Sequence, residues 1–150
     1  MSADKLPKFV FAYREQESVN PDSGAKETVA YPFLPCTFEW GGKRTPQTDG
    51  LLDSGSDCVV LPLEFAMFLN LALKDEKDPM RVPGGEIPWY SATANLTIGR
   101  AGRLFTFPRV RVAIPKTGDA PVLIGRDPVF KVYRVTFDDP RSRFTLEPSS

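Results

Sequence analysis

The residues with the clearest chemical potential are Asp53, Ser54 and Gly55, set between the apolar segments Leu51-Leu52 and Val59-Val60-Leu61. A carboxylate between two segments that favour burial is costly to ionise unless backbone donors or a neighbouring charge compensate. Asp53 is therefore expected on a tight turn at the bottom of a cleft with hydrophobic walls. One way to use it is to bring a second carboxylate alongside, so that the two share one proton and hold a water between them. The anion then acts as general base on the water while the acid donates to a carbonyl oxygen. Only one well-formed copy of the loop is present, and a two-fold dimer supplies the other, because a residue near the axis meets itself.

The rest of the composition narrows the chemistry further. The chain contains no histidine, so neither a Ser-His-Asp nor a Cys-His unit can be assembled, and His-ligated metal sites go with them. Hydrolysis would have to run on carboxylates, lysine or tyrosine, and no metal or cofactor is expected. The 19 basic and 19 acidic residues cancel, and no run of like charge forms a binding arm; neither nucleic acid nor a membrane is an expected partner. The opening MSADKLPKFVFAY has no apolar core suited to a signal peptide, and no apolar run approaches the ~20 residues that span a bilayer. A soluble, cytoplasmic protein is expected. In that compartment Cys36 and Cys58 should pack as small apolar side chains rather than form a bridge.

A second Asp-Ser-Gly occurs at Asp22-Ser23-Gly24, after Asn20-Pro21 and with no apolar strand on either side. It reads as a surface turn.

The elements that must position Asp53 are strands. Fifteen prolines and 11 glycines interrupt any long helix, and short segments rich in Val, Phe, Thr, Tyr and Ile lie between turn signals, which predicts an all-β fold. One domain is expected from 150 residues. Lys8 to Tyr13 reads as a first strand, and Glu15 to Lys26 as a mobile loop. Val29 to Trp40 is extended, with Pro32 and Pro35 confining its early part to an edge or bend. Gly41-Gly42 turns the chain back toward Leu51-Leu52. Leu61 to Asp75 is the main candidate helix, and Arg81 to Tyr90 an exposed, bent β-element. Two strands about a short turn follow from Asn95 to Phe107, then an alternating strand from Arg109 to Ile114. An apolar strand ends at Gly125 and passes into a short helical turn, capped by Asp127 with Pro128 at its first position. A final hairpin closes the chain.

With these elements laid out, the chain resembles the retropepsins, the single-lobe homodimeric aspartic proteases. Leu51-Leu52-Asp53-Ser54-Gly55-Ser56-Asp57 is similar to that family's strand and active-site loop. Val122-Leu123-Ile124-Gly125-Arg126-Asp127 is similar to its second signature, an apolar run before a short helix. The two stand in the family's order, with a segment suited to a flap between them, and anchor the chain from about Phe33 to Leu146.

The resemblance implies a closed barrel with one or two short helices and an active two-fold homodimer. Residues 1–28 would form an N-terminal strand and mobile loop, and residues 29–150 the protease domain. It further implies that Asp53 is the catalytic carboxylate and that Ser54 bonds across the dimer axis. Gly55 would let the backbone approach the carboxylate, Asp57 and Arg126 would pair beneath the loop, and Gly125 would let the strand pass under it. The implied substrate is a peptide or protein, bound as an added strand. Gly84, Gly85, Glu86, Trp89 and Tyr90 would belong to the flap or contact substrate.

The chain also departs from the family. The stretch Leu61 to Asp78 is longer than in the compact viral enzymes, and the flap lacks their glycine-dense tip, so which flap residues touch substrate stays open. Two other readings remain: a catalytically inactive relative that binds peptide or dimerises, and an unrelated β-sandwich in which Asp53-Ser54-Gly55 is only a turn.

Overall fold

A computed structural model describes residues 6–149; the part of the expected N-terminal unit at residues 1–5 lies outside the described residues. The central feature is a ring of six strands. β4 (Phe33–Trp40), β6 (Thr48–Leu52), β13 (Leu123–Ile124), β7 (Val59–Val60), β12 (Arg103–Pro115) and β11 (Trp89–Arg100) pair in that order, and β11 pairs back onto β4. The sheet thus closes into a barrel, which removes its free edges and overturns the open β-sandwich reading.

Alternation explains why these segments are strands. Leu34, Cys36 and Phe38 in β4 are fully buried, as are Ala94, Leu96 and Ile98 in β11. Every second side chain therefore fills the barrel, the period-two pattern of a sheet with one wet face. Pro35 lies one residue beyond the β4 ladder with β11, which ends at Cys36 opposite Ile98, so its missing N–H breaks no bond there. β5 (Lys43–Arg44) returns from β4 through Gly41 and Gly42, at φ +58 and +83, the left-handed conformations that a two-residue hairpin requires.

A three-stranded sheet closes one end of the barrel: β1 (Phe9–Ala12), β15 (Arg143–Pro148) and β14 (Tyr133–Asp138), with β15 in the middle. Its aromatic face, Phe9, Phe11, Tyr133 and Phe144, belongs to the same buried cluster as the barrel interior. The Tyr133 hydroxyl keeps its hydrogen bond by donating to the Pro7 carbonyl at 2.8 Å, as a buried phenol should.

Three expectations change. Glu15 to Lys26 is a β-hairpin rather than a loop: β2 (Arg14–Val19) pairs antiparallel with β3 (Lys26–Tyr31). Most of β2 is exposed, so backbone pairing holds the hairpin and hydrophobic periodicity gives no sign of it.

The expected helix from Leu61 to Asp75 is only α1 (Leu63–Phe68). It stops because Asn70 adopts φ +55. The Asn70 N–H then bonds the Met67 carbonyl and the Leu71 N–H the Ala66 carbonyl, each at 3.0 Å. These are the two bonds of a Schellman stop, with asparagine in the place glycine usually holds. Leu71 returns to the core, and the remaining residues end in β8 (Lys74–Asp75), paired with β11.

The two segments expected around Phe107 and Arg109 are one thirteen-residue strand, β12. Arg109 sits at φ +52, and its N–H is taken up by the Asn95 side chain at 3.0 Å, opposite an irregularity in β11. The result is a bulge within the strand rather than a break.

Candidate active site

Asp53 follows the last residue of β6, a strand held on both sides. β6 pairs antiparallel with β4 and parallel with β13, and the Asp53 N–H itself donates to the Ile124 carbonyl at 3.0 Å. The strand thus delivers the carboxylate to a fixed point. The turn that follows is closed by its own backbone. The Gly55 N–H donates to Asp53 Oδ1 at 2.9 Å, and the Ser56 N–H donates to the Asp53 carbonyl at 3.1 Å. The other oxygen has no hydrogen-bond donor among the described residues. Asp53 is half-buried rather than sunk at the base of the loop, while Ser54 and Gly55 are exposed.

The loop is fastened from beneath by the chain that leaves β13. The Arg126 N–H donates to the Ser56 carbonyl at 2.8 Å and the Asp127 N–H to the Asp57 carbonyl at 3.0 Å. The Ser56 hydroxyl adds a bond to the Cys58 carbonyl at 2.8 Å. Gly125 sits where the two chains cross. A Cβ there would lie 2.3 Å from the Cys58 carbonyl oxygen and 2.5 Å from that of Ser56, so no residue with a side chain fits without moving backbone. Beyond it, Asp127 is extended (φ −104, ψ 120) at the entrance to the helical turn Arg126–Phe130. Arg126 and Asp57 form an ion pair. In the single chain this pair is open to solvent, with side chains 57% and 84% exposed respectively, and so contributes little on its own.

Two cavities meet at Asp53. One is a cleft of about 880 Å³ running from the loop past Val60 and Leu123 to β12 and under the hairpin formed by β9 (Met80–Val82) and β10 (Gly85–Ile87). Its walls are mixed: Met80, Val82, Pro83 and Trp89 are apolar, whereas Arg81, Arg111 and Lys131 carry charge. The expected hydrophobic walls are therefore only part of the surround. The other cavity, about 560 Å³, lies on the Ser54 side and reaches Tyr13, Pro32 and Phe137.

Of the five flap residues, Trp89 alone lines the cleft. Its indole N–H donates to the Asp78 carbonyl at 2.8 Å, and the Arg111 guanidinium lies 5.8 Å from its ring centroid. Tyr90 points elsewhere, with Lys116 Nζ 4.7 Å from its ring centroid. Glu86 is exposed on β10 opposite Arg81. Gly84 (φ +91) forms the exposed hairpin turn with Pro83, and Gly85 (φ +150) opens β10 opposite Val82.

Sequence reasoning missed Arg111, Arg81, Met80, Val82 and Lys131 as cleft residues. The alternation of Arg109 to Ile114 carried a partial signal, since it sets Arg111 and Ala113 on one face. Cys36 and Cys58 are both free thiols. Burial pushes the Cys58 thiol up, against the opposing pull of nearby Arg111.

Comparison with known proteins bears on the fold. No protein-family profile matches the chain, and no curated protein sequence matches it. Among solved structures, a retropepsin-like aspartic protease from Rickettsia conorii superposes with a TM-score of 0.61 at 14% identity, covering 95% of this chain and all of that one (100%). The EIAV protease, solved with the inhibitor HBY-793, aligns over 67% of this chain and 86% of its own, at 20% identity and a TM-score of 0.47. At such identities the likeness is one of architecture. The closed barrel and the short helices are those of the single-lobe retropepsin-like fold.

Proposed function

We propose that this chain is an aspartic endopeptidase whose catalytic pair forms from Asp53 of two identical subunits. The observation that carries the proposal is the setting of Asp53: one oxygen held by the Gly55 N–H, on a loop tied to Gly125-Arg126, between a long cleft and a second cavity beside Ser54. The cleft suits an extended peptide laid as an added strand beneath the β9–β10 hairpin. The cavity beside Ser54 exposes Phe137 (43%) and suits the approach of a second copy.

In the dimer, the two carboxylates hold one proton between them and a water in reach of both. The ionised Asp53 takes a proton from the water as it attacks the peptide carbonyl; the protonated one donates to the carbonyl oxygen, giving a tetrahedral intermediate without an acyl-enzyme. Ser54 bonds to the partner's loop, and the Asp57–Arg126 pair is less screened by solvent once the subunits cover it. The two unbridged thiols suit a reducing compartment such as the cytoplasm.

The test is digestion of a peptide mixture from acidic to neutral pH, with Asp53→Asn beside the wild type and sedimentation of both. The wild type should cleave, and the variant should remain a dimer without cleaving. Peptide binding without turnover in the wild type would leave a binding module instead.

A further inference from the structure

The cleft carries a charge that this chemistry does not use. Arg111 and Ala113, two residues apart on β12, both line it. Because Val112 pairs with Val59 in the parallel β12–β7 ladder, Arg111 stands level with Cys58, along the cleft from Asp53. Its guanidinium lies against the Trp89 ring, and that ring is anchored by the indole bond to the Asp78 carbonyl. The cation is therefore mounted on a fixed apolar wall.

Arg111 forms no ion pair among the described residues, whereas Arg126, which also lines the cleft, is paired with Asp57. Arg81 on the overhanging hairpin and Lys131 also line the cleft without an ion-pair partner among the described residues. Against these three cations stand Asp53, which the chemistry occupies, and Asp127.

We propose that Arg111, seated on Trp89, is a specificity-determining residue that receives an acidic side chain of the peptide bound over Asp53. The inference rests on the peptidase reading. A bound peptide covers the guanidinium and strips its water, and a buried cation without an anion is unfavourable. A Glu or Asp side chain restores the balance through two parallel N–H···O bonds to the planar fork. A Lys or Arg side chain there meets like charge, and an apolar one leaves the cation unmatched.

The experiment uses peptide sets that differ only by Glu, Gln or Lys at each position around the cleaved bond. At one position kcat/KM should favour Glu by about 10- to 100-fold, the span expected for a charge-assisted pair. Arg111→Met should bring that ratio close to one, Arg111→Lys should keep part of it, and Arg111→Glu should turn the preference toward Lys; melting temperatures check that each variant folds. Binding of the same peptides to Asp53→Asn, read by fluorescence polarisation, separates the two claims. If the wild type cleaves nothing but this protein still binds the Glu peptide more tightly, the peptidase reading fails and the subsite stands. Equal treatment of Glu and Gln peptides in cleavage and binding, or a ratio that Arg111→Met leaves untouched, overturns the proposal.

Discussion

The same three residues, Asp-Ser-Gly, occur twice, and the two copies are built in opposite ways. At Asp22-Ser23-Gly24 the turn is held by its own neighbours. The Asp22 N–H donates to the Asn20 side chain at 2.8 Å, the Ala25 N–H to the Ser23 hydroxyl at 3.2 Å, and Gly24 has open space around it. At Asp53-Ser54-Gly55 the turn hangs from two core strands and is stapled to a segment about 70 residues further along, where Arg126 and Asp127 donate to the Ser56 and Asp57 carbonyls. A local turn can form almost anywhere on a surface. A loop with fixed coordinates for one carboxylate needs long-range backbone ties, and only the second copy has them.

The largest effect should separate the two aspartates directly. Asp53→Asn should lower cleavage of a fluorogenic peptide by about 1,000-fold or more, in the range of lost acid–base catalysis, whereas Asp22→Asn should leave the rate within experimental error of the wild type. The next effect is on stability. Gly125→Ala forces a Cβ into two carbonyls and should cost about 3 kcal/mol in urea unfolding. Gly24→Ala meets nothing, and strains only a φ of +70, which should cost about 1 kcal/mol. If the two alanines cost the same, the claim that the second loop is built by close chain crossing fails.

These contrasts show how much of the molecule could be read beforehand. Leu51-Leu52 and Val59-Val60 announce buried strands around Asp53, because apolar β-formers answer a local demand for burial, whereas a support at Gly125-Arg126 is expected only through the resemblance of Val122 to Asp127 to the retropepsin signature. The β2–β3 hairpin could not be read, since Arg14–Val19 buries little and backbone pairing leaves no mark on side-chain pattern. The early end of α1 turns on Asn70 taking a left-handed conformation inside a run of good helix formers. Arg111 was missed for a different reason. Alternation along β12 tells which residues share a face, but only the folded barrel tells that this face lines the cleft under the flap.

Smaller effects sharpen the comparison. Arg126→Ala removes the partner of Asp57, but the pair is solvent-exposed in one chain, so monomer stability should fall by under about 1 kcal/mol. Dimer affinity should fall more, as read by sedimentation, if the pair is covered by the partner. The last effect is confined to alkaline pH. Burial pushes the Cys36 thiol in β4 from its ordinary 9.0 to about 12, and the Tyr133 hydroxyl in β14 from 10.0 to about 12. Above their ordinary values the unfolded chain releases these protons while the folded one retains them. Their stabilisation is thus complete below pH 9, declines as pH rises, and is lost through pH 12. Urea midpoints should fall over that window, and Cys36→Ala should flatten the decline.

The central claim is that each active site takes one Asp53 from each of two subunits. Mixing wild type with Asp53→Asn under subunit exchange, at constant total protein, tests it directly. If both acids are required, activity should follow the square of the wild-type fraction, leaving about a quarter in an equal mixture of randomly paired subunits. Activity that falls in simple proportion, to about half in that mixture, would mean that each chain works with its own aspartate alone, and would contradict the account.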